Sequence, residues 1–248
     1  MKPGIKYFNF TVRSYRGDQE GNAMKRSYIN QKISEGINFV QKMNFALPSF
    51  VYWTPEEWEI KGHEYDEIRK CMLGWDITDF GEGNFDKTGL LLITIRNGIS
   101  GSSEYFKEYA EKILIVQENQ VTPMHFHYFK MEDIINRGGG YLMIEVFGST
   151  ETEDLSGEPI EVFLDGKRLT VKAGTIVRLR PGESITLPPR QYHKFWADGG
   201  TILVGEVSKV NDDNTDNHFH TAPARFPEIE EDEPKKYLLF TEYPAARD

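Results

Sequence analysis

From about residue 88 onward, the sequence is a succession of short apolar runs separated by turn residues. The runs are rich in β-branched and aromatic residues, which favours strands over helices. Asp165-Gly166 lies between two runs and is typical of a β-hairpin turn. Many short strands at intervals of about ten residues predict a mainly β chain folded as a sandwich or barrel. The predicted strands are 90–95, 112–117, 141–147, 160–164, 168–171, 175–179, 184–187, 191–196 and 201–210.

The residues before this region have helical periodicity. Over 25–44, apolar residues recur at steps of three and four positions, which predicts a helix with one buried face. The sequence Thr54-Pro55-Glu56-Glu57 is a capping box and predicts a second helix over 55–74. We therefore expect a helical N-terminal extension, 1–88, that packs on the barrel or on a partner subunit. The barrel and a C-terminal tail are expected to form 89–248.

Charge and composition argue against several classes of partner. The formal net charge is −10, and no basic cluster is large enough to follow a phosphate backbone. The N-terminus lacks the apolar segment of a signal peptide, and the longest apolar run, 90–95, is too short to span a bilayer. The single cysteine, Cys71, excludes an intramolecular disulfide and fits a reducing compartment. We therefore expect a cytoplasmic protein that binds neither nucleic acid nor a membrane.

A pair of histidines, His125 and His127, follows an apolar, β-branched run that favours a strand. Side chains two positions apart leave the same face of a strand, so both imidazoles could bind one metal ion. Glu132 is an odd number of positions from His127, so the chain must bend or bulge between them if Glu132 is to reach the same ion. Such a bend places Lys130 beside the ion.

A third histidine, His193, follows a Gly/Pro turn on another predicted strand. A lone strand histidine is more often a satisfied polar residue than a ligand, but four ligand-type residues at these spacings favour a metal site. The sequence His218-Phe219-His220 has the ligand spacing without a predicted strand, and His63 has no suitable context. These three histidines are not expected to bind the ion.

Two motifs carry a resemblance to a superfamily. The spacing His125-x-His127-x4-Glu132-x6-Gly139 resembles the first cupin motif, and Gly182-x5-Pro188-x4-His193 resembles the second. The resemblance implies a cupin-type β-barrel, or jelly roll, in which three imidazoles and one carboxylate bind a metal and leave two octahedral positions open. Asn119 and Arg190 stand at usual glycine positions of the motifs, and Ala197 stands at a usual asparagine position.

Longer segments are similar to one family. Residues 112–127, 130–140 and 205–217 resemble the D-lyxose ketol-isomerase family, and the similarity covers about 88–233. It implies a Mn²⁺-dependent aldose–ketose isomerase that interconverts D-lyxose and D-xylulose, and D-mannose and D-fructose. It also implies a small sugar as substrate and a homodimer. Fe²⁺, Co²⁺ and Zn²⁺ stay open as alternatives, because the ligand types do not separate these ions.

Moving a carbonyl between C1 and C2 of a sugar also requires a base. Glu206 is one candidate if its strand face points into the barrel, and an outward face is an equal alternative. Glu228 is a second candidate if the tail folds over the barrel mouth, and a solvated acidic run is its alternative. Lys130 is expected to stabilise charge on the enediolate or to transfer a proton to oxygen, with a solvated lysine as the alternative.

Three further residues are candidate contacts to sugar hydroxyls: Gln120, Arg137 and Arg225. Two other functions also stay open, because a cupin barrel alone does not define a reaction. One is an Fe²⁺-dependent cupin dioxygenase, and the other is a sugar-binding cupin without turnover.

Overall fold

The computed structural model describes residues 23–212, 215–221 and 228–247. The described helices are α1 (Arg26–Lys42), α2 (Pro55–Trp58) and α3 (Asp66–Lys70). The described strands are β1 (Met24–Lys25), β2 (Gly74–Thr78), β3 (Leu90–Arg96), β4 (Tyr109–Val116), β5 (Val121–His127), β6 (Glu132–Ser149), β7 (Leu155–Ser156), β8 (Ile160–Leu164), β9 (Lys167–Val171), β10 (Thr175–Leu179), β11 (Ser184–Leu187), β12 (Gln191–Lys209), β13 (Asn217–Phe219) and β14 (Ile229–Glu230). The predicted mainly β architecture with N-terminal helix is confirmed.

Most of these strands form one bent antiparallel sheet in the order β2-β3-β4-β12-β6-β11-β8-β9, and β5 pairs with both β12 and β13. The two longest strands, β6 and β12, pair with each other on both sides of a bend. Gly138, Gly139, Gly199 and Gly200 have positive φ angles at this bend, where the register shifts. A Cβ atom on Gly139 would lie 2.2 Å from the carbonyl oxygen of Thr201, so the bend requires glycine there. The bent strands turn the inner face of the sheet into the wall of a barrel.

Two apolar clusters lie on opposite faces of the sheet. The inner cluster fills part of the barrel and includes Leu114 and Val204. The outer cluster joins the apolar face of α1, including Ile33, to the back of the sheet. At Gly36 the helix comes so close to the sheet that a Cβ would lie 2.9 Å from the side chain of Leu91. The apolar face of α1 is therefore buried within the subunit.

The second predicted helix, over 55–74, is present only as two short helices, α2 and α3, and is wrong between and after them. The capping box is present, since Thr54 Oγ1 accepts a hydrogen bond from the Glu57 amide at 3.3 Å and Glu57 accepts one from the Thr54 amide at 2.9 Å. The helix ends at the buried Trp58, and the chain then passes Gly62 in an extended conformation. Glycine favours this interruption because it stabilises a helix poorly.

Strand β2 extends the large sheet into the region that was expected to be helical, because it pairs with β3. Its residues alternate between the two faces of the sheet. Trp75 and Ile77 belong to the outer apolar cluster, whereas Asp76 and Thr78 line a cavity inside the barrel. The N-terminal region, in which no chemistry was recognised from the sequence, therefore supplies polar groups to the interior.

The C-terminal residues return to the N-terminal helix. Strand β14 pairs in parallel with β1. The side chain of Arg26, at the start of α1, is completely buried. Its Nε and Nη2 atoms both donate to the Glu231 carboxylate at 2.9 Å, and its Nη1 donates to Glu242 at 3.3 Å. One buried guanidinium thus joins α1 to two acidic residues of the tail.

Arg26→Met is expected to lower the free energy of unfolding by about 2–4 kcal/mol, because it leaves two carboxylates without their buried partner. Arg168→Met is the control, since Arg168 and Glu161 form an exposed pair that should contribute less than about 1 kcal/mol. Urea unfolding of both variants measures the difference. Equal losses in the two variants would contradict a structural role for the Arg26 contacts.

Candidate metal centre and active site

Strands β5 and β12 place three histidines at one end of the barrel interior. His125 and His127 leave the same face of β5, as their spacing predicts, and His193 on β12 lies directly opposite His125 in the strand register. All three side chains are buried. One ring nitrogen from each lies within 4.8 Å of the other two.

Hydrogen bonds fix which ring nitrogen of each histidine carries the proton. The Nδ1 atoms of His125 and His193 lie 2.8 and 3.1 Å from the backbone carbonyl oxygens of Pro123 and Gln191. His127 Nδ1 lies 2.8 Å from Oδ1 of Asn217. A carbonyl oxygen only accepts, so each Nδ1 carries the hydrogen and each Nε2 keeps a lone pair.

The carboxylate of Glu132 completes the cluster. Strand β5 ends at His127, the chain bends at 128–129, and β6 begins at Glu132, which confirms the predicted bend. Glu132 Oε1 lies 3.3 Å from His127 Nε2 and 3.1 Å from His193 Nε2. Ligands about 2.1 Å from one ion are about 3.0–3.4 Å apart in octahedral or tetrahedral sites, so these separations suit a shared ion.

The donor chemistry fits a divalent cation. The lone pair of His193 Nε2 and the oxygen of Glu132 are both acceptors, and His193 Nε2 is buried without a hydrogen-bond partner. Such an atom is costly unless a cation binds it. His125, His127, His193 and Glu132 would hold that cation.

The protonation states are those that metal ligands need. Burial, and then the neighbouring imidazoles, lower the pKa of His125 well below its usual value. Burial and the Lys130 ammonium lower the pKa of His127. Burial raises the pKa of Glu132, but Lys130 and His127 outweigh it and bring that pKa well below its usual range. The neutral imidazoles of His125 and His127 and the ionised carboxylate of Glu132 face the same point.

Lys130 and Glu206 lie beside the candidate metal ligands. The strand face of Glu206 points into the barrel, and the side chain is buried. Lys130 Nζ lies 3.0 Å from Glu132 Oε2, 2.9 Å from Glu206 Oε1 and 3.2 Å from Asn211 Oδ1. These three acceptors match the three N–H groups of the ammonium. Lys130 therefore links Glu132, a candidate metal ligand, to a second buried carboxylate.

A second buried ammonium, Lys112, also contacts Glu206. Its Nζ lies 3.5 Å from Glu206 Oε1 and donates to Asn211 Oδ1 at 2.6 Å. Burial raises the pKa of Glu206, but Lys112 and Lys130 outweigh this effect, so the net shift is downward. Ser208 Oγ lies 3.1 Å from the same Oε1 atom. Glu206 is thus an ionised carboxylate at neutral pH whose contacts with these three side chains all fall on one oxygen.

These groups line one cavity of about 60 Å³ inside the barrel. The metal ligands and the Lys130–Glu206 pair form one part of its wall, and Asp76 on β2 belongs to another. Apolar side chains such as Leu92 and Leu114 lie between the polar groups. The volume holds several water molecules or hydroxyl groups.

Sequence reasoning missed Lys112 and Asp76. Lys112 lies two positions before the inward-facing Leu114 on β4, so both side chains leave the same face of the strand. The inward direction of Lys112 could therefore have been inferred once β4 was predicted. Asp76 alternates with two apolar residues in a stretch where no strand was predicted.

Three predicted residues do not line this cavity. Gln120 is buried, but its amide donates to the Phe85 carbonyl at 2.7 Å and accepts from the Gln117 amide at 3.0 Å. Arg137 is exposed and lies over Gly205. Glu228 is exposed, and its backbone carbonyl accepts a hydrogen bond from Met24 at 2.7 Å. Arg225 lies outside the described residues.

His218, in β13, and His220, directly after it, also lie away from the candidate metal ligands. His218 Nδ1 is 3.1 Å from the Tyr128 hydroxyl, and His220 Nε2 is 2.9 Å from an oxygen of Asp154.

Within the described ranges, no helix combines the length and the hydropathy that a membrane crossing needs.

The fold and the histidine–glutamate cluster together define a cupin-type barrel with a candidate metal centre. Residues 24–243 match the family model for D-lyxose isomerase. The D-lyxose/D-mannose isomerases of Serratia proteamaculans and Escherichia coli O157:H7 are 46% and 47% identical over 223 residues, which cover 89% of this chain and 98% of each relative. The chain belongs to the D-lyxose isomerase family. This confirms the predicted family and enzyme class, an aldose–ketose isomerase.

Solved structures share the fold at low sequence identity. The L-ribose isomerase of Acinetobacter sp. DL28 with L-ribose has a TM-score of 0.55 and 14% identity, covering 86% of this chain and 100% of that chain. The ligand-free L-ribose isomerase of Cellulomonas parahominis has a TM-score of 0.53 and 16% identity, covering 84% of this chain and 99% of that chain. This likeness confirms the cupin-type barrel.

Proposed function

We propose that the chain is a divalent-metal-dependent isomerase that interconverts D-lyxose and D-xylulose, and D-mannose and D-fructose. The observation that carries the proposal is the position of an ionised base, Glu206, in the same buried cavity as four metal-ligand residues. The two relatives named D-lyxose/D-mannose isomerase, 46% and 47% identical, support the choice of sugars.

The metal ligands would be His125, His127, Glu132 and His193. When bound, the ion supplies a Lewis acid that polarises the sugar carbonyl. Mn²⁺ is the proposed ion, on the strength of the family resemblance, because three nitrogen donors and one carboxylate also suit Fe²⁺, Co²⁺ and Zn²⁺.

Glu206 acts as the base in the proposed mechanism. Its carboxylate takes the proton from C2 of the aldose, and the electron pair of that C–H bond becomes the C1–C2 double bond of an enediolate. Return of the proton to C1 gives the ketose, while the C2 hydroxyl proton moves to the oxygen on C1. The Lys130 ammonium stabilises the negative oxygen of the enediolate.

The homodimer and the cytoplasmic location are also part of the proposal. The apolar face of α1 is buried within the subunit and does not support the dimer, which is inferred from the family resemblance. Exposed apolar side chains elsewhere, including Phe106 and Phe129, offer surface that a second copy could cover. The single cysteine, buried and reduced, supports a reducing compartment.

The test is a coupled assay for ketose formation from D-lyxose and D-mannose. EDTA-treated protein is expected to lose the activity, because the metal ion is the Lewis acid that polarises the sugar carbonyl. Added Mn²⁺ is expected to restore the activity. Metal content is measured on the same samples. Full activity in protein shown to be free of metal would contradict the metal-dependent mechanism, and metal binding without turnover would favour a sugar-binding protein.

A further inference from the structure

Strand β13 lies antiparallel against the metal-ligand strand β5, with Asn217 opposite His127 and Phe219 opposite His125. Strand alternation turns Asn217 and Phe219 toward the metal ligands. His218, between them, faces the opposite side and stacks on Phe126. The histidines that resembled ligands in the sequence thus point away from the site, and their neighbours contact it.

Asn217 makes the contact that distinguishes His127 from the other two histidines. His125 and His193 are oriented by backbone carbonyl oxygens, which no substitution removes. His127 Nδ1 instead lies 2.8 Å from the side-chain oxygen of Asn217. The tautomer and ring orientation of this one imidazole therefore depend on a replaceable side chain.

The residues on either side of Asn217 support the same site. The ring of Phe219 stacks on His125, with centroids 5.2 Å apart and planes 28° apart. The carboxylate of Asp216 accepts hydrogen bonds from the backbone amides of Phe129 and Lys130 at 2.7 and 3.0 Å. Asp216 is thereby bonded to the bend that carries Lys130, so the short segment 216–219 contacts two histidine ligands and this bend.

We propose that segment 216–219 is a positioning clamp for the metal centre, in which Asn217 is the residue that sets the metal affinity of His127. The proposal rests on the proposed function in one respect, the presence of a divalent metal. Asn217 does not touch the ion. It holds the hydrogen on Nδ1 and so keeps the Nε2 lone pair directed at the ion.

Without this acceptor, the hydrogen of His127 can move to Nε2 and block the ligand lone pair, and the ring can rotate. Loss of such a partner typically weakens metal affinity by about 10–100-fold. An aspartate at the same position accepts the same hydrogen bond and adds negative charge, so it should preserve the affinity. A leucine of similar size keeps the packing and removes the acceptor.

The experiment measures the Kd for Mn²⁺ by calorimetry on EDTA-stripped, full-length protein. Asn217→Leu is expected to raise the Kd by about 10–100-fold, and Asn217→Asp is expected to stay within about threefold of the wild type or to bind more tightly. His220→Gln is the matched control, since His220 directly follows the same strand and contacts Asp154 instead. Its Kd should equal that of the wild type.

Thermal unfolding of the metal-free variants checks that each one folds. If the leucine variant does not fold, Asn217→Asp still decides, because a tenfold loss of affinity in that variant would overturn the clamp. An unchanged Kd in a folded Asn217→Leu variant would also overturn it. Failure of the wild-type protein to bind Mn²⁺ would instead contradict the proposed metal centre, so the two proposals fail in distinguishable ways.

Discussion

Glu206→Gln is expected to lower kcat by about 10²–10⁴-fold, the usual contribution of a general base, while Mn²⁺ still binds. Glutamine keeps the size of the side chain and an oxygen for the Lys130 hydrogen bond, but it cannot take a proton from C2. The four metal ligands are unchanged by the substitution. The loss should therefore appear in kcat, with a metal Kd close to that of the wild type.

Exchange of the C2 proton with D₂O gives an independent readout of the same step. The wild-type enzyme should exchange this proton during turnover, and Glu206→Gln should lose exchange and isomerisation together. Glu161→Gln, an exposed residue of β8, is the control. A kcat that stays normal in Glu206→Gln and falls in Glu228→Gln would assign the base to the tail instead.

The clustering of the candidate metal ligands could be predicted from sequence because local geometry determines their arrangement. The two-residue spacing of His125 and His127 needs only a strand to bring both rings to one face. The odd spacing to Glu132 then required a bend, which the structure contains between β5 and β6. The departures from the motifs are also local: Asn119 and Arg190 have φ angles of 61° and 62°, where glycine is usual.

The remaining wall of the cavity could not be predicted, because it depends on strand order. Lys112 meets Glu206 only because β4 lies beside β12, and Asp76 reaches the cavity only because β2 joins the same sheet. Asn217 meets His127 across 90 residues of sequence. No periodicity or short motif carries this information.

The predicted sugar contacts Gln120 and Arg137 lie outside the wall of the cavity. The Gln120 amide satisfies backbone groups at the turn before β5. A buried polar side chain must find partners, and backbone partners are as effective as a ligand. Arg137 follows Glu132 on β6, yet it is exposed on the far side of that strand from Ile134 and Asn136.

Lys130→Met is expected to change catalysis and metal binding in opposite directions. The ammonium lies 3.0 Å from Glu132 and 2.9 Å from Glu206, so its removal leaves two buried carboxylates close together. The enediolate loses its stabilising cation, and kcat should fall by about 10²–10³-fold. The site of the variant is more negative and should bind Mn²⁺ at least as tightly as that of the wild type. The reason is that the Lys130 ammonium, which repels a bound cation, has been removed.

The metal-free Lys130→Met variant should also be less stable by about 3–5 kcal/mol, the usual cost of removing one partner from a buried ion pair. Saturating Mn²⁺ should recover part of this loss, because it binds the folded state and supplies positive charge beside Glu132. Urea unfolding with and without Mn²⁺ measures both effects, and Lys209→Met, an exposed lysine of β12, is the control. A general loss of packing would weaken Mn²⁺ binding and lower kcat together, so tenfold weaker binding in Lys130→Met would show that Lys130 maintains the local structure and does not act on the sugar.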